Sequence, residues 1–280
     1  MLRDRARGVF ARPDKVHRIR HDGTYFRVEA LHLCEPSPQR TPLLYQAGAS
    51  SRGRQFAATH AECVFINGPS KQVIAPIVRD IRRRAAAAGR NPAEILIFNM
   101  MTVITAATAE AARAKLEDYR SYASEEGALV LMSGWTGVDF SKYGLDEPIR
   151  LSAQQAQTSA LDAFTIADPE RVWTVREIAK HAAIGGRGPV VVGSPDEVAE
   201  ELIAWVEETD VDGFNLAYAV TPETFADFVD LVVPELQRRG RYKLDYASGT
   251  LREKLYGPGR CRLGADHPAA MFRGAADPGR

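Results

Sequence analysis

Four short apolar runs, each followed by an amphipathic segment, constrain the fold of this chain most strongly. They are residues 42–47, 61–66, 95–104 and 211–220, and their length and composition predict buried strands. Because strand–helix units repeat along the chain, the sequence favours an α/β fold with a parallel sheet. A closed (β/α)₈ barrel needs eight such strands, so four units predict only part of a barrel.

The other segments are assigned to one domain around these units. Residues 15–33 are predicted to form a hairpin, because Asp22-Gly23 is a strong turn signal. Since the chain opens in this hairpin, we expect the missing strands to precede it. Residues 1–280 are interpreted as a single partial barrel domain with five segments: a hairpin and loop (1–40), barrel units (41–123), an insertion (124–190), the last barrel unit and helices (191–240) and a polar tail (241–280).

Charge and cysteine content argue against several classes of protein. The 36 basic and 36 acidic residues give a net charge of zero, so no overall basic field indicates nucleic-acid binding. Cys34, Cys63 and Cys261 are widely spaced, which argues against a structural zinc site or a disulfide framework. No apolar run is long enough to span a bilayer, and no signal-peptide core is found. We therefore expect a cytoplasmic protein without a metal centre.

The loop after the first apolar run contains the groups that a phosphate site needs. Residues 48–54 (GASSRGR) join the predicted strand to a helix expected to begin near Ser51. Glycines permit close approach, serines offer hydroxyl groups, and the helix N-terminus adds amide donors and partial positive charge. From these residues alone, a phosphate site and an ordinary capped turn both remain open.

Three further side chains are candidates for a substrate pocket. Asn99 and Asn215 are polar residues within predicted strands, and polar side chains at barrel strand ends often face a ligand. Hydrogen-bonded structural amides are the alternative for both residues. Trp135 either lines a pocket or packs within a loop. None of the six histidines stands in a recognisable spacing with a nucleophile and a carboxylate, so no catalytic residue is predicted.

Five blocks of sequence resemble one enzyme family, in the family's own order and over nearly the whole chain. They are residues 15–28 (KVHRIRHDGTYFRV), 45–65 (YQAGASSRGRQFAATHAECVF), 133–143 (SGWTGVDFSKY), 211–216 (VDGFNL) and 249–256 (GTLREKLY). The family comprises the nitrilotriacetate, dibenzothiophene-sulfone and long-chain-alkane monooxygenases, which are similar to bacterial luciferase. The resemblance implies a (β/α)₈ barrel of which this chain is the C-terminal half, strands five to eight, with a hairpin and an insertion.

The resemblance also implies a chemistry and its partners. It implies reduced FMN as the cofactor, dioxygen as the oxidant, a small organic or xenobiotic substrate, a separate flavin reductase that supplies FMNH₂, and a homo-oligomer. Gly48, Ala49 and Ser50 are expected to hold the FMN phosphate, with Arg54 as an addition. The family's flavin-contacting histidine and tyrosine have no counterpart in this sequence. An alkane enzyme should have a histidine within residues 128–132, and this chain has ALVLM there, which argues against an alkane substrate.

Two other functions fit the same sequence. A non-catalytic half barrel could bind flavin phosphate or pair with a second copy, because open sheet edges and apolar strand faces promote association. A deazaflavin-dependent oxidoreductase is the third hypothesis. Both cofactors contain phosphate, so the loop at residues 48–54 does not distinguish them.

Overall fold

The computed structural model describes residues 1–32, 34–149, 162–165, 167–168 and 170–272. The chain divides into two compact units, one formed by residues 45–246 and the other by residues 1–44 together with 247–280. The larger unit contains the parallel sheet and the segments predicted to be barrel units.

The sheet of the larger unit is parallel throughout. Its strands are β3 (Tyr45–Ala47), β4 (Cys63–Ile66), β5 (Leu96–Thr105), β6 (Val190–Gly193) and β7 (Gly213–Ala217). β3 pairs with β4, and β4 pairs with the first half of β5. β7 also pairs with β5. The four strands predicted from apolar runs therefore lie side by side in chain order, which confirms the α/β fold with a parallel sheet.

β6 is a fifth strand that the sequence analysis missed. The run of three valines before Gly193 was divided between the predicted insertion and the last barrel unit, because four residues are too short to show a periodicity. β6 pairs with the second half of β5. The amides of Leu96 and Thr102 donate to Glu62 O and Pro189 O. Both are even-numbered residues of β5, so β4 and β6 follow one another along the same edge of that strand.

Helices follow the strands, as the alternating pattern predicts. The helices of the larger unit are α1 (Ser51–His60), α2 (Lys71–Ala87), α3 (Ala109–Ser121), α4 (Glu125–Thr136), α5 (Val175–Gly185), α6 (Pro195–Thr209), α7 (Glu223–Asp227) and α8 (Val233–Arg238). Short 3₁₀ turns lie at Pro92–Glu94 and Phe140–Lys142. α6 begins at the capping box expected at residues 194–197, where Ser194 and Glu197 bond each other's backbone amides.

The helical segment that follows β7 is interrupted. A π-helical segment, Phe228–Val232, separates α7 from α8. Pro234 lies just after it, and proline has no N–H to donate to the carbonyl four residues earlier. The ring also crowds that carbonyl, so a regular α-helix cannot run through this point.

The two faces of β5 have different surroundings. Odd-numbered residues such as Ile97, Met101 and Val103 are buried in the main core with apolar side chains of α2 and α6. Of the even-numbered residues, Phe98 and Met100 remain partly exposed, whereas Thr102 and Ile104 are buried. Because side chains alternate along a strand, one face of the sheet is covered by helices, and the other face is open around the first half of β5.

The region predicted as an insertion, 124–190, has a core of its own. α4 and α5 pack against each other around Met132 and Ile178. Phe164, Trp173 and the ring of His181 form an edge-to-face aromatic cluster beside them. The Gln/Ala/Ser stretch at 152–160, which the sequence analysis included in this insertion, lies outside the described residues.

The smaller unit contains the predicted hairpin. β1 (Ile19–Asp22) and β2 (Arg27–Ala30) pair antiparallel around the Asp-Gly turn. The unit also has 3₁₀ turns at Pro13–Lys15 and Pro268–Phe272 and a helix, α9 (Leu251–Tyr256). Arg252 is 2% exposed and donates to the carbonyls of Thr41, Pro42 and Cys261. This buried guanidinium holds three stretches of backbone together and gives a structural role to the block at 249–256.

No helix in the described part of the chain is long and apolar enough to cross a membrane.

Candidate functional site

The candidate phosphate loop follows the carboxyl end of β3. Gly48 has a φ of 129°, a conformation that favours glycine, and it turns the chain out of the strand. Ser50 is the N-cap of α1, and its Oγ accepts a hydrogen bond of 3.1 Å from the Gly53 amide. The loop thus has the strand–turn–helix geometry in which helix N-termini bind anions.

Amide donors are available at this end of α1. The first regular helical bond runs from the Arg54 amide to Ser50 O at 2.8 Å. In the part of the chain that the structure describes, the amides of Ser51 and Arg52 have no acceptor. A Cβ added at Gly53 would lie 2.9 Å from Gly48 O, so the turn is closely packed. Free amides, two hydroxyls and a tight glycine turn fit a phosphate group.

A cleft of about 760 Å³ opens beside this loop. The loop residues Gly48, Ala49, Ser50 and Arg54 all line it. Its other walls come from β4, α2 and the region 162–187, and contain Phe65, Asn67, Ile77, Asp80, Asp162 and Arg187. The four predicted cofactor-binding residues are therefore brought together at one cavity, at the carboxyl ends of parallel strands, where ligands bind in α/β folds.

Arg54 lies in the cleft but its charge is already paired. Its Nε is 2.8 Å from Asp80 Oδ2, without the alignment of a hydrogen bond. Arg83 and Arg84 contact the same carboxylate. Burial raises the pKa of Asp80, but the surrounding guanidinium groups outweigh that effect and hold the pKa below its ordinary value. The sequence analysis did not predict this pairing, because Arg54 lies on α1 and Asp80 lies on α2.

Arg187 and Asp162 are cleft residues that sequence reasoning missed. Burial lowers the pKa of Arg187 and raises the pKa of Asp162, and no other influence on either group is resolved. Among the described residues, no carboxylate forms an ion pair with Arg187. The glycine-rich run Gly185-Gly186-Arg187-Gly188 was the only sequence signal for this part of the cleft.

Trp135, the predicted pocket residue, does not line the cleft itself. It lies in the last turn of α4 and is 38% exposed. The Arg187 guanidinium lies 5.5 Å from the centroid of its ring, within the range of a cation–π contact. Trp135 therefore acts on the cleft through Arg187.

Asn99 and Asn215 point to opposite faces of the sheet. Asn99 pairs with Phe214 and Asn215 pairs with Met100. Because neighbouring residues of a strand point to opposite faces, the two amide side chains lie on different faces of the sheet. Asn99 is fully buried on the helix-covered face, where its Nδ2 donates to Met100 O at 2.9 Å. Asn215 is exposed on the open face. Of the two asparagines, the structure thus places Asn215 on the open face of the sheet and Asn99 on the covered face.

The described residues contain no group of three or more histidine, cysteine or acidic side chains arranged to hold a metal ion. The free amides, hydroxyls and guanidinium groups of this cleft are suited to an anionic ligand.

A parallel sheet whose strands are followed by helices, with a cleft at their carboxyl ends, is typical of TIM-barrel-type α/β proteins. Within that class, residues 6–241 match the sequence family described as luciferase-like monooxygenase. This chain belongs to the luciferase-like monooxygenase family, as the five sequence blocks indicated.

Two relatives are similar over almost the whole chain. The dimethyl-sulfide monooxygenase of Hyphomicrobium sulfonivorans is 50% identical, and the match covers 98% of this chain and 57% of the relative. The long-chain alkane monooxygenase of Geobacillus thermodenitrificans is 45% identical, with 98% and 58% covered. The chain therefore spans somewhat more than half the length of the curated relatives it matches.

Solved structures agree with the fold. The crystal structure of DmoA from Hyphomicrobium sulfonivorans has a TM-score of 0.84 at 49% identity and covers 98% of this chain and 58% of that one. A riboflavin lyase crystallised with modified FMN and riboflavin has a TM-score of 0.78 at 36% identity, with 95% and 58% covered. The fold is therefore that of luciferase-like α/β proteins.

Proposed function

We propose that this chain is the flavin-binding, C-terminal half barrel of an FMNH₂-dependent, O₂-using monooxygenase that acts on a small organic substrate. The loop at Gly48–Arg54 is the observation that carries the proposal, because its free amides and hydroxyls open into a large cleft at the carboxyl end of the sheet. Membership of the monooxygenase family supplies the class of reaction.

The half-barrel interpretation rests on the sheet. β3, β4, β5 and β7 are consecutive neighbours, as strands five to eight of a barrel would be. One face of this sheet is open, with Tyr45 57% exposed and its ring 6.2 Å from that of Phe98. In a closed barrel this face would line the interior, where side chains from all strands pack together.

Each cleft residue has a defined task in this proposal. The amides of Ser51 and Arg52 and the hydroxyls of Ser50 and Ser51 bind the phosphate, while Gly48 lets the backbone approach it. When bound, reduced FMN would supply two electrons for the reaction with dioxygen. One oxygen atom would enter the substrate and the other would leave as water. The apolar wall formed by Phe65 and Ile77 limits the access of water to the flavin side of the cleft.

The partners and the cellular setting belong to the same proposal. A separate flavin reductase would deliver FMNH₂, and the family resemblance supports a homo-oligomeric enzyme in the cytoplasm. One relative is named for dimethyl sulfide and the other for long-chain alkanes. Residues 128–132 lie on α4 without a histidine. We therefore favour a small substrate such as an organic sulfide over an alkane.

Anaerobic titration of the purified chain with reduced FMN, followed by calorimetry, tests the proposal. We expect saturable binding in the micromolar range, and at least tenfold weaker binding by Gly48→Val. Ser50→Ala should also weaken binding, because it removes a hydroxyl from the loop. A folded chain that does not bind reduced FMN would overturn the proposal that this half carries the cofactor site.

A matched control separates capping from cofactor binding. Ser124 caps α4 and accepts a hydrogen bond of 2.9 Å from the Gly127 amide, in the same Ser-x-x-Gly arrangement as Ser50. Both alanine variants lose a cap that contributes about 1 kcal/mol. Only Ser50→Ala should weaken FMN binding; equal weakening by Ser124→Ala would show that the effect comes from helix stability.

The two other functions predict different results in this titration. A non-catalytic remnant would bind FMN or associate with itself, yet would give no oxygenated product when supplied with a flavin reductase and the rest of the barrel. A deazaflavin enzyme would bind the deazaflavin more tightly than FMN in parallel titrations. The second candidate is the non-catalytic half barrel that associates with itself. It is favoured by the exposed ring of Tyr45 and the partly exposed ring of Phe98.

A further inference from the structure

Arg187 lies in the turn between α5 and β6. β6 begins opposite Thr102 and β4 ends opposite Asn99, along the same edge of β5. Gly188 packs on the middle of β5, since a Cβ added there would lie 3.0 Å from Met100 Cγ. The turn therefore lies just beyond the carboxyl end of β4. β4 is paired with β3, the strand that precedes the phosphate loop.

The charges that line the cleft do not contribute equally. The charge of Arg54 is balanced by the Asp80 carboxylate at 2.8 Å. Within the described ranges, Arg187 has no ion-pair partner, although burial removes much of its hydration. A half-buried guanidinium without a counter-ion gains from an anion that neutralises it. Among the described residues that line the cleft, Arg187 is therefore the cation without a carboxylate partner.

The direction of this side chain is fixed from outside the cleft. Its guanidinium lies 5.5 Å from the centre of the Trp135 ring, and a Cβ at Gly186 would contact the same ring at 3.8 Å. A planar guanidinium restrained on an aromatic face still has donors free along its edge, in the fork that matches a phosphate.

We infer that Arg187 is a phosphate-binding residue of the cofactor site, opposite the free amides of Ser51 and Arg52, and that Asp80 keeps Arg54 from that role. This inference rests on the proposed function and names the side chain that neutralises the 5′-phosphate of FMN. Trp135 is then a positioning residue for Arg187. The ligand class is a flavin with a terminal phosphate, as opposed to riboflavin.

Parallel titrations with oxidised FMN and riboflavin, followed by flavin fluorescence, test this inference. The wild-type chain should prefer FMN by about tenfold or more, because charge-assisted hydrogen bonds to phosphate are strong. Arg187→Gln should lose most of that preference and leave riboflavin binding unchanged, and Arg187→Lys should keep part of it. Riboflavin binding and thermal melting report that each variant is folded.

Two other arginines serve as matched controls. Arg54 lines the same cleft, and Arg79 is an exposed residue of α2 outside the lining, so the controls are Arg54→Gln and Arg79→Gln. Both should retain most of the preference for FMN. If the wild-type chain fails to prefer FMN, the proposed function itself is wrong. If the wild type prefers FMN but Arg187→Gln keeps that preference, or Arg54→Gln abolishes it, the inference about Arg187 is overturned.

Discussion

At the scale of single residues, the candidate site is decided by which charges are already paired. The Asp80 carboxylate forms ion pairs with Arg54, Arg83 and Arg84. The charge of Arg54, which the sequence suggested for phosphate, is therefore already balanced. Arg187 has the opposite situation, since it is half-buried and has no carboxylate partner among the described residues. The pairing of Arg54 with Asp80 could not be predicted from sequence, because the two residues lie on different helices, and the surroundings of Arg187 depend on how the chain folds around it.

Removing the Asp80 carboxylate should strengthen FMN binding. Asp80→Asn releases the charge of Arg54 into the cleft, and one extra positive charge near a phosphate should tighten binding by about threefold to tenfold. Fluorescence titration with FMN measures the change, and riboflavin affinity should stay constant. Weaker FMN binding by Asp80→Asn would mean that Asp80 instead positions Arg54 on the phosphate.

His181 should make the stability of the larger unit depend on pH. Burial lowers the pKa of His181 to about 4, against the weaker opposing effect of a hydrogen bond with the Gly188 backbone. The unfolded chain binds this proton below about pH 6.5, while the folded chain does so only near pH 4. The free energy of unfolding should therefore fall by on the order of 3 kcal/mol as the pH decreases between these values.

Urea denaturation at pH 8 and pH 4.5 checks this expectation. In His181→Gln, the loss of stability between the two pH values should be smaller than in the wild type. The comparison at pH 8 accounts for any change in packing against Phe164 and Trp173. The same pH dependence in both proteins would contradict the assignment to His181.

At the scale of elements, apolar periodicity predicted most of what was observed. The amphipathic segment expected after residues 61–66 forms the helix Lys71–Ala87, and the strand expected at 95–104 is Leu96–Thr105. These elements have long patterns with clear ends. β6 was missed because its four residues are too few to show a periodicity. The opposite orientations of Asn99 and Asn215 were missed because register depends on neighbouring strands.

Two glycine-to-alanine variants within helices should have different effects on the free energy of unfolding. Gly134→Ala in α4 has open space around the new methyl group and should stabilise the protein by up to about 1 kcal/mol. Gly53→Ala in α1 brings that group against Gly48 O, so the loop must shift. We expect Gly53→Ala to give no such gain and to weaken FMN binding, as measured by urea denaturation and titration. Equal stabilisation by both would show that the loop is not closely packed.

At the scale of the whole molecule, the open face of the sheet is the feature that the proposed half barrel would have to cover. It presents Tyr45 and Phe98, and apolar faces of this kind promote association. Sequence analysis predicted the α/β class and the family correctly. It could not predict the cleft, because Arg187 and Asp80 line the same cavity as the loop only in the folded chain.

Self-association of the isolated chain should depend on this face. Tyr45→Lys introduces a charge there and should reduce the average mass seen by sedimentation velocity at tens of micromolar protein. Tyr122→Lys is the matched control, because Tyr122 is 83% exposed and lies directly after α3, outside the sheet. Association that is equally sensitive to both variants, or to neither, would exclude the open face as its cause.

Hydrogen exchange of the chain with FMN or riboflavin tests the central claim most directly, since it monitors the amides proposed to bind phosphate. With FMN we expect slower exchange in peptides covering residues 48–54 and 185–189, and with riboflavin we expect little change there. Protection by FMN elsewhere but not in these two segments, or equal protection by both flavins, would contradict a phosphate site formed by the loop and Arg187.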